Sequence, residues 1–358
     1  MNICIACGAR PNFVKVAPLV WAMENARAEG DVLNYEIVYA GRADDPTLEP
    51  SLFADLGIRR PDVFLGADDD SLNILAGNVM FRFDAYLNDH PTDVVIVVDD
   101  LASTMAVAIT TKKRGIRLAH LVAGTRSFDI NMPKEVNRLV IDGLSDLLFT
   151  AGVSNDGNVN REGAEMSKTY MVGNILIDTL RRHRDELRRP ALSDTLGLDT
   201  RPYILLTLNR KALLGDETKL KALLDVLTAH AAGRPVVAPL RRQAAAVVSR
   251  LAPTVQVVGP LPYLEFGYLS AHASAVVTDS GNVAEEATFN QVPCITLNSY
   301  TEHQETVTVG SNVLVGENPD TLARELDILT AGQWKTSSLP ERWDGRSAER
   351  IVHILLGK

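Results

Sequence analysis

With 358 residues, 46% of them apolar, the chain can bury more than one core, and two domains are expected. Its 36 basic residues against 45 acidic ones give a net charge of −9 with no block of like charge, which argues against a nucleic-acid backbone as partner. Three cysteines in so long a chain make no disulfide framework.

The chain opens on an apolar strand, NICIAC at 2–7, in place of the charged n-region and cleavage site of a secretory leader. Later apolar runs are strand-sized, VVIVV at 94–98 among the longest, so a soluble cytoplasmic protein without a membrane partner is expected. Cys4 and Cys7 form a C-x-x-C on the first strand and its turn rather than at a helix start, which predicts a buried structural pair. Further strands are expected at YEIVYA (35–40), DVVIVVD (93–99), RLAHLVA (117–123), DLLFTAG (146–152), YILLTLN (203–209), PVVAPL (235–240), VQVVG (255–259), AVVTD (275–279) and PCITL (293–297). Between them lie segments of helical period, such as FVKVAPLVWAMENARAEG (13–30) and STMAVAITTKKRG (103–115). Strands alternating with helices imply parallel sheets covered on both faces. A basic helix, LIDTLRRHRDELRR (176–189), gives way to a fresh strand after Pro202. The boundary is therefore placed in this region: residues 1–172 with 344–358 form the first domain and 173–343 the second, the last helix RSAERIVHILLG (346–357) crossing back. Ligands of doubly wound sheets bind at the carboxyl ends of the strands, so the cleft between two such domains is the expected site.

Three segments can carry chemistry. GARPNFVKVAPL (8–19) sets Arg10 and Lys15 beside a strand-to-helix turn, where backbone amides and two cations can meet a diphosphate. It holds neither Gly-x-Gly-x-x-Gly nor Gly-Lys-Ser/Thr, and a plain turn with solvated cations is equally compatible with it. In TDSGNVAEEA (278–287), Ser280, Gly281 and Asn282 open a helix whose amides can receive phosphate oxygens, and Glu286 can accept ribose hydroxyls; the alternative makes Ser280 a simple N-cap and the Glu pair a solvated face. In the 100–138 region Asp100 ends a strand, Ser103 and Thr104 cap the next helix, and Gly124, Arg126 and Ser127 end another strand. Lys134, Glu135, Asn137 and Arg138 begin a further helix after Pro133, where Glu135 and Arg138 also suit a surface i,i+3 pair.

Taken in order, these segments resemble the non-hydrolysing UDP-N-acetylglucosamine 2-epimerases over nearly the whole chain. GARPNFVKVAPL is similar to that family's phosphate-side turn, LFADLGIRRPDVFLG to its early helix-loop, LSDLLFTAG to its fifth strand and VGNILIDTL to its interdomain segment. PLPYLEF is similar to its uridine-side loop, TDSGNVAEEA to its phosphate and ribose loop, and TEHQETVTVGSNVLVG to its last substrate loop. The resemblance implies an α/β fold of two Rossmann-like, doubly wound domains facing a cleft, as in GT-B glycosyltransferases, with a UDP-sugar ligand, no cofactor and a homodimer. It implies C2 deprotonation with departure of UDP to give a 2-acetamidoglucal, then re-addition with the proton returned to the opposite face. Arg10, Lys15, Ser280, Gly281 and Glu286 match UDP-holding positions, and Asp100 matches a catalytic carboxylate. Glu135, Arg138, Thr301, Glu302 and Glu305 match as well, and Arg126, Asn209, Arg210 and Asn282 complete the candidate substrate contacts.

The departures gather at the sugar. The family's H-G-D-T is Val98, Asp99, Asp100 and Leu101; the glutamate of E-A-G-x-R is Val122; the first glutamate of P-E-E is Lys134. The histidine of H-R is Asn209, the second glycine of S-G-G is Asn282, and two arginines of R-x-x-T-E-R are Asn298 and His303. Losing an acid or base costs about 10²–10⁴-fold in rate, so either Asp100 works with a recruited Lys134 or His303, or the fold performs glycosyl transfer or hydrolysis without deprotonating C2. A UDP-sugar-binding protein without catalysis is disfavoured by the survival of Asp100 and Glu135. Scattered histidines and cysteines without ligand spacing predict no metal.

Overall fold

All ten apolar runs expected as strands form strands in the computed structural model, which describes residues 1–163 and 168–358. The chain divides into two units, Met1–Arg182 with Glu341–Lys358, and His183–Pro340. Unit 1 runs β1 (Asn2–Cys7), α1 (Arg10–Ala28), β2 (Asn34–Tyr39), α2 (Pro50–Leu56), β3 (Val63–Phe64), α3 (Leu72–Asp89), β4 (Val94–Val98) and α4 (Ala102–Lys113). It continues through β5 (Arg117–Ala123), α5 (Pro133–Leu144), β6 (Leu147–Thr150), α6 (Val153–Arg161), β7 (Thr169–Met171) and α7 (Ile175–Arg182). Unit 2 holds α8 (Leu192–Leu196), β8 (Ile204–Thr207), α9 (Lys211–Gly215), α10 (Glu217–Ala229), β9 (Val236–Pro239), α11 (Arg242–Leu251), β10 (Gln256–Val258) and α12 (Tyr263–His272). It ends with β11 (Ala275–Thr278), α13 (Gly281–Phe289), β12 (Cys294–Thr296), α14 (Glu305–Thr308), β13 (Asn312–Leu314) and α15 (Pro319–Thr330). The last helix, α16 (Ser347–Leu356), returns to unit 1.

Both sheets are parallel, in the order β3-β2-β1-β4-β5-β6-β7 for unit 1 and β10-β9-β8-β11-β12-β13 for unit 2. From the central strands the chain winds outward in both directions. Since parallel crossovers are right-handed, α1 on the way from β1 to β2 and α4 on the way from β4 to β5 lie on opposite faces. Burial on both faces explains why β4 is a continuous apolar run, all five residues of which are buried. Each such aliphatic side chain contributes roughly 1.5–3 kcal/mol.

The boundary differs from the one expected at 172/173 and 343/344 because α7 belongs to unit 1, where it packs on α1 and α16. Thr179 Oγ1 donates to Val14 O at 2.6 Å, and the buried Asp178 accepts from Ala348 N at 2.8 Å, holding the start of α16. Gly173, at φ +99°, lies so close to the 341–346 segment that a β-carbon there would stand 2.1 Å from Arg342 O. Arg342 Nη1 donates to Met171 O at 2.9 Å, and Arg181 donates to Asp344 O. The basic helix expected over 176–189 stops at Arg182, and a 3-10 turn, Arg184–Glu186, follows. The helix expected to be capped by Ser103 and Thr104 starts earlier, at Ala102, so both lie within its first turn; Thr104 Oγ1 accepts from Leu101 N at 3.0 Å. Cys4 and Cys7 are buried free thiols on β1, both pushed up by burial, Cys4 to about 12. Among the described residues no helix is long and apolar enough to cross a membrane.

Candidate functional site

In unit 1 the turn before α1 satisfies its own donors. Asn12, in the first turn of the helix, turns its Oδ1 back to accept from Gly8 N at 2.8 Å and Ala9 N at 3.0 Å. Arg10 Nε reaches Glu49 Oε2 at 3.1 Å, and the nearly buried Lys15 Nζ lies 2.6 Å from Asp99 Oδ1. Asn12 Nδ2 donates to the other Asp99 oxygen at 2.7 Å.

Asp99 and Asp100 follow β4 at the carboxyl edge of the sheet. Asp99 sits in left-handed backbone at φ +59°. One strand over, Val122 sits at φ +69°, in the register shift between Leu121 and Ala123. Because Val98 is paired with Leu121, Asp99 and Val122 are the next residues on neighbouring strands. A β-branched residue in this region is an outlier that only surrounding structure can hold.

Asp100 points to the start of α5. Its Oδ2 accepts from Arg138 Nε at 2.8 Å, and Lys134 Nζ stands 3.3 Å from Oδ1. Burial would push this carboxyl up, but the charges of Lys134 and then Arg138 outweigh it and hold it below the usual carboxylate range. Lys134 is 56% exposed and occupies the second position of a helix, where a cation opposes the helix dipole unless an anion compensates it. Glu135 is turned into the preceding loop: it accepts from Ser127 N and Oγ at 2.9 Å each, from Phe128 N and from Arg138 Nη1, both at 3.0 Å. Those bonds overcome its burial and lower its carboxyl. Asn137 Nδ2 fixes the Asp100 carbonyl at 2.8 Å.

Arg126, expected to touch substrate, has a fully buried side chain that pairs with Asp142 Oδ2 at 2.7 Å and with Glu162. Asp142 also receives Gly124 N at 3.1 Å and His120 Nδ1 at 2.6 Å, while His120 Nε2 bonds Asp99 O at 3.0 Å. Gly124, at φ +78°, has Asn155 O 2.2 Å from where a β-carbon would stand, so no side chain fits. The network positions the loop and the Asp99 peptide.

In unit 2, α13 begins with Ser280 as N-cap and carries no side-chain cap, which leaves its first-turn amides for a ligand. Glu302 Oε2 flanks Gly281, 3.2 Å from where a β-carbon would be. Further along α13, burial first and the neighbouring Glu285 second push the Glu286 carboxyl up to about 8. His303 is buried rather than open to the surface, with Nε2 3.6 Å from Glu285 Oε1, and Thr301 Oγ1 caps its backbone at 3.3 Å. Just after β11, Asp279 accepts from two amides beyond β8, Asn209 N and Arg210 N, at 2.8 Å each, although burial raises its carboxyl. Asn209 itself is exposed, Asn282 is half-buried in the first turn of α13, and the Arg210 guanidinium is held by Asn298 and Glu317.

Unit 1 thus gathers Lys15 with Asp99, and Asp100 with Lys134, Glu135 and Arg138; unit 2 gathers Ser280, Gly281 and Glu302, and separately Glu285, Glu286 and His303. Sequence reasoning had not counted Asn12, Asp99, Asp279 or Glu285 as site residues. Asp99 and Asp279 end continuous apolar strands, the signal that singled out Asp100. No comparable signal marks Asn12. Among the described residues no group of three or more His, Cys, Asp or Glu is placed to hold a metal ion.

The family model of UDP-N-acetylglucosamine 2-epimerase matches residues 25–356. A UDP-N-acetylglucosamine 2-epimerase of Methanocaldococcus jannaschii is 30% identical over 377 residues, covering 99% of both chains. A UDP-2,3-diacetamido-2,3-dideoxy-D-glucuronate 2-epimerase of Pseudomonas aeruginosa is 33% identical over 326 residues, 89% of this chain and 90% of its own. The crystal structure of the Methanocaldococcus jannaschii enzyme with UDP-GlcNAc and UDP superposes with a TM-score of 0.88 at 28% identity, both chains fully covered. The Neisseria meningitidis enzyme bound to UDP-GlcNAc shares the fold, with a TM-score of 0.89 at 22% identity over the full length of both chains. The chain belongs to the UDP-N-acetylglucosamine 2-epimerase family, a family of isomerases on a two-domain, GT-B-like α/β fold.

Proposed function

We propose that this chain acts on a UDP-sugar of the N-acetylhexosamine type and inverts it at C2 by elimination and re-addition of UDP. The observation that carries the reading is the uncapped start of α13 at Ser280, Gly281 and Asn282, with Glu286 further along the same helix: first-turn amides and the helix dipole suit the diphosphate, and the carboxyl suits the ribose. Glu302, Thr301 and Arg210 border that region, and Arg10 and Lys15 are cations of unit 1 suited by charge to a pyrophosphate. Asp100, with Lys134 and Arg138 around it, is the acid/base group of unit 1. His303, paired with Glu285, is a positioning group in this scheme.

The test is incubation with UDP-N-acetylglucosamine in D2O, followed by NMR. Deuterium at C2 and appearance of the manno epimer are expected. Val122, which cannot move a proton, favours a second reading in which UDP departs without deprotonation, by transfer or hydrolysis. Turnover without C2 deuterium would establish that alternative. A cytoplasmic setting accords with the free thiols of Cys4, Cys7 and Cys294. A homodimer accords with the α3 face on which Ile74 and Phe81 are 55% and 79% exposed, seven residues and two turns apart.

A further inference from the structure

We infer that Asp99 is a catalytic carboxylate of this chain, the partner of Asp100 in moving protons at C2. The inference rests on the reading just given and names the group which that reading lacks. It begins from the backbone. Asp99 holds φ +59° at the edge of the sheet, a left-handed conformation that aspartate adopts more readily than most side chains and that sets the direction of its carboxylate. Beside it, at the next position of the adjoining strand, Val122 occupies φ +69° with a side chain that cannot carry a proton. The carboxylate missing from β5 is thus present one strand over, at the same level.

The directions of the two aspartates fit reaction at both faces of one carbon. Successive residues at a strand end point to opposite faces, and the contacts follow that rule. Asp99 reaches Lys15 and Asn12 of α1, whereas Asp100 reaches Lys134 and Arg138 of α5, and these helices cover opposite faces of the sheet. Lys15 and Asn12 each use one lone pair of the Asp99 carboxylate, and each oxygen keeps another to accept a proton. In the forward step one carboxylate takes the C2 proton, the C2–H electron pair becomes the C1=C2 bond, and the C1–O pair leaves with UDP. In the return step UDP adds to C1, and the other carboxylate delivers its proton to the opposite face of C2. The delivering carboxylate takes its proton from water before this step and the accepting one returns its proton to water afterwards, so that protons and electrons balance with solvent as the further reactant. His120 and Asn137, which bond the carbonyls of Asp99 and Asp100, hold the two peptides that aim the pair.

The experiment uses the full chain as wild type, Asp99→Asn, Asp99→Gly and Asp100→Asn. C2 exchange in D2O is followed by NMR from UDP-N-acetylglucosamine and, separately, from UDP-N-acetylmannosamine, with UDP affinity by calorimetry and melting temperature as controls. Both Asp99 variants are expected to melt as the wild type does, to bind UDP no more weakly, and to lose exchange by about 100-fold. The deficit should be larger from one epimer for Asp99→Asn and from the other epimer for Asp100→Asn. A mere counter-ion of Lys15 would instead lower exchange equally from both epimers, and that result overturns the inference. So does near-wild-type exchange in Asp99→Gly, the variant that relaxes the backbone and therefore folds even if the asparagine does not. A wild type that binds UDP but exchanges neither epimer overturns the functional reading itself, and the inference with it.

Discussion

At the scale of single residues, Glu286 has the most consequential charge. Its carboxyl, pushed up to about 8 by burial and by Glu285, carries a proton in the free protein at neutral pH, whereas a ribose diol donates best to the ionised form. Binding of UDP-N-acetylglucosamine near pH 7 should therefore release up to one proton. Calorimetry in buffers of different ionisation enthalpy should show that release, and Glu286→Gln should abolish it. The same shift has a fixed sign for stability: a pKa raised on folding gives a contribution present in full below the unfolded value near 4.5 and lost as pH rises through about 8. Val122, Lys134 and Asn209 stand where the family motifs carry glutamate, glutamate and histidine. Lys134 reverses the local charge, and Val122 makes the adjoining wall apolar. The combined Val122→Glu, Lys134→Glu, Asn209→His variant should raise C2 exchange on UDP-N-acetylglucosamine and impair the native reaction; a folded triple variant with unchanged native activity would show that these positions do not define the chemistry. Asp100 was legible because a carboxylate ends an apolar strand. The inward turn of Arg126 was not, since it depends on Asp142 and Glu162 arriving from α5 and the end of α6 through tertiary packing.

At the scale of elements, ten of the apolar runs were legible as strands, while β3, β7 and β13 were not. These three have only two or three residues each, and they form by pairing with a neighbour already in place. Helix starts were legible to within about three residues: α1 begins at Arg10, ahead of the periodic run from Phe13, and Leu101 rather than Ser103 precedes α4, because Thr104 reaches back to the backbone from inside the turn. The solvent-side stripe of α3 could be seen only once its other face was known to pack, through Val79 and Phe83, into the core. If that stripe joins two copies, Phe81→Arg should convert a dimer to a monomer in sedimentation analysis without lowering the melting temperature. An unchanged sedimentation coefficient would remove α3 from the interface.

At the scale of the whole molecule, the two-sheet plan was legible from the alternation of strands and helices, and the boundary was misplaced because nothing in α7 itself shows that it packs on α1. Asp178, between α7 and α16, is pushed up to about 6, chiefly by burial. Its contribution is complete below the unfolded carboxyl value of 3.8 and disappears as pH rises through 6, an effect on the order of 2–3 kcal/mol. Asp178→Asn, which keeps the acceptor for Ala348 N and carries no charge, should therefore unfold at higher denaturant than the wild type at pH 8 and show no advantage at pH 4. The attachment of 171–182 to the 341–348 segment has one more consequence. The chain leaves unit 1 and re-enters it on neighbouring backbone, with Arg181 bonded to Asp344 O, so the second unit is topologically a cassette spliced into a loop of the first. Cutting the cassette out and closing the gap between Arg182 and Glu341 with a short glycine-serine bridge should yield a cooperatively melting single domain of seven strands, and a chain that stays unfolded would mean that unit 1 needs its guest to fold.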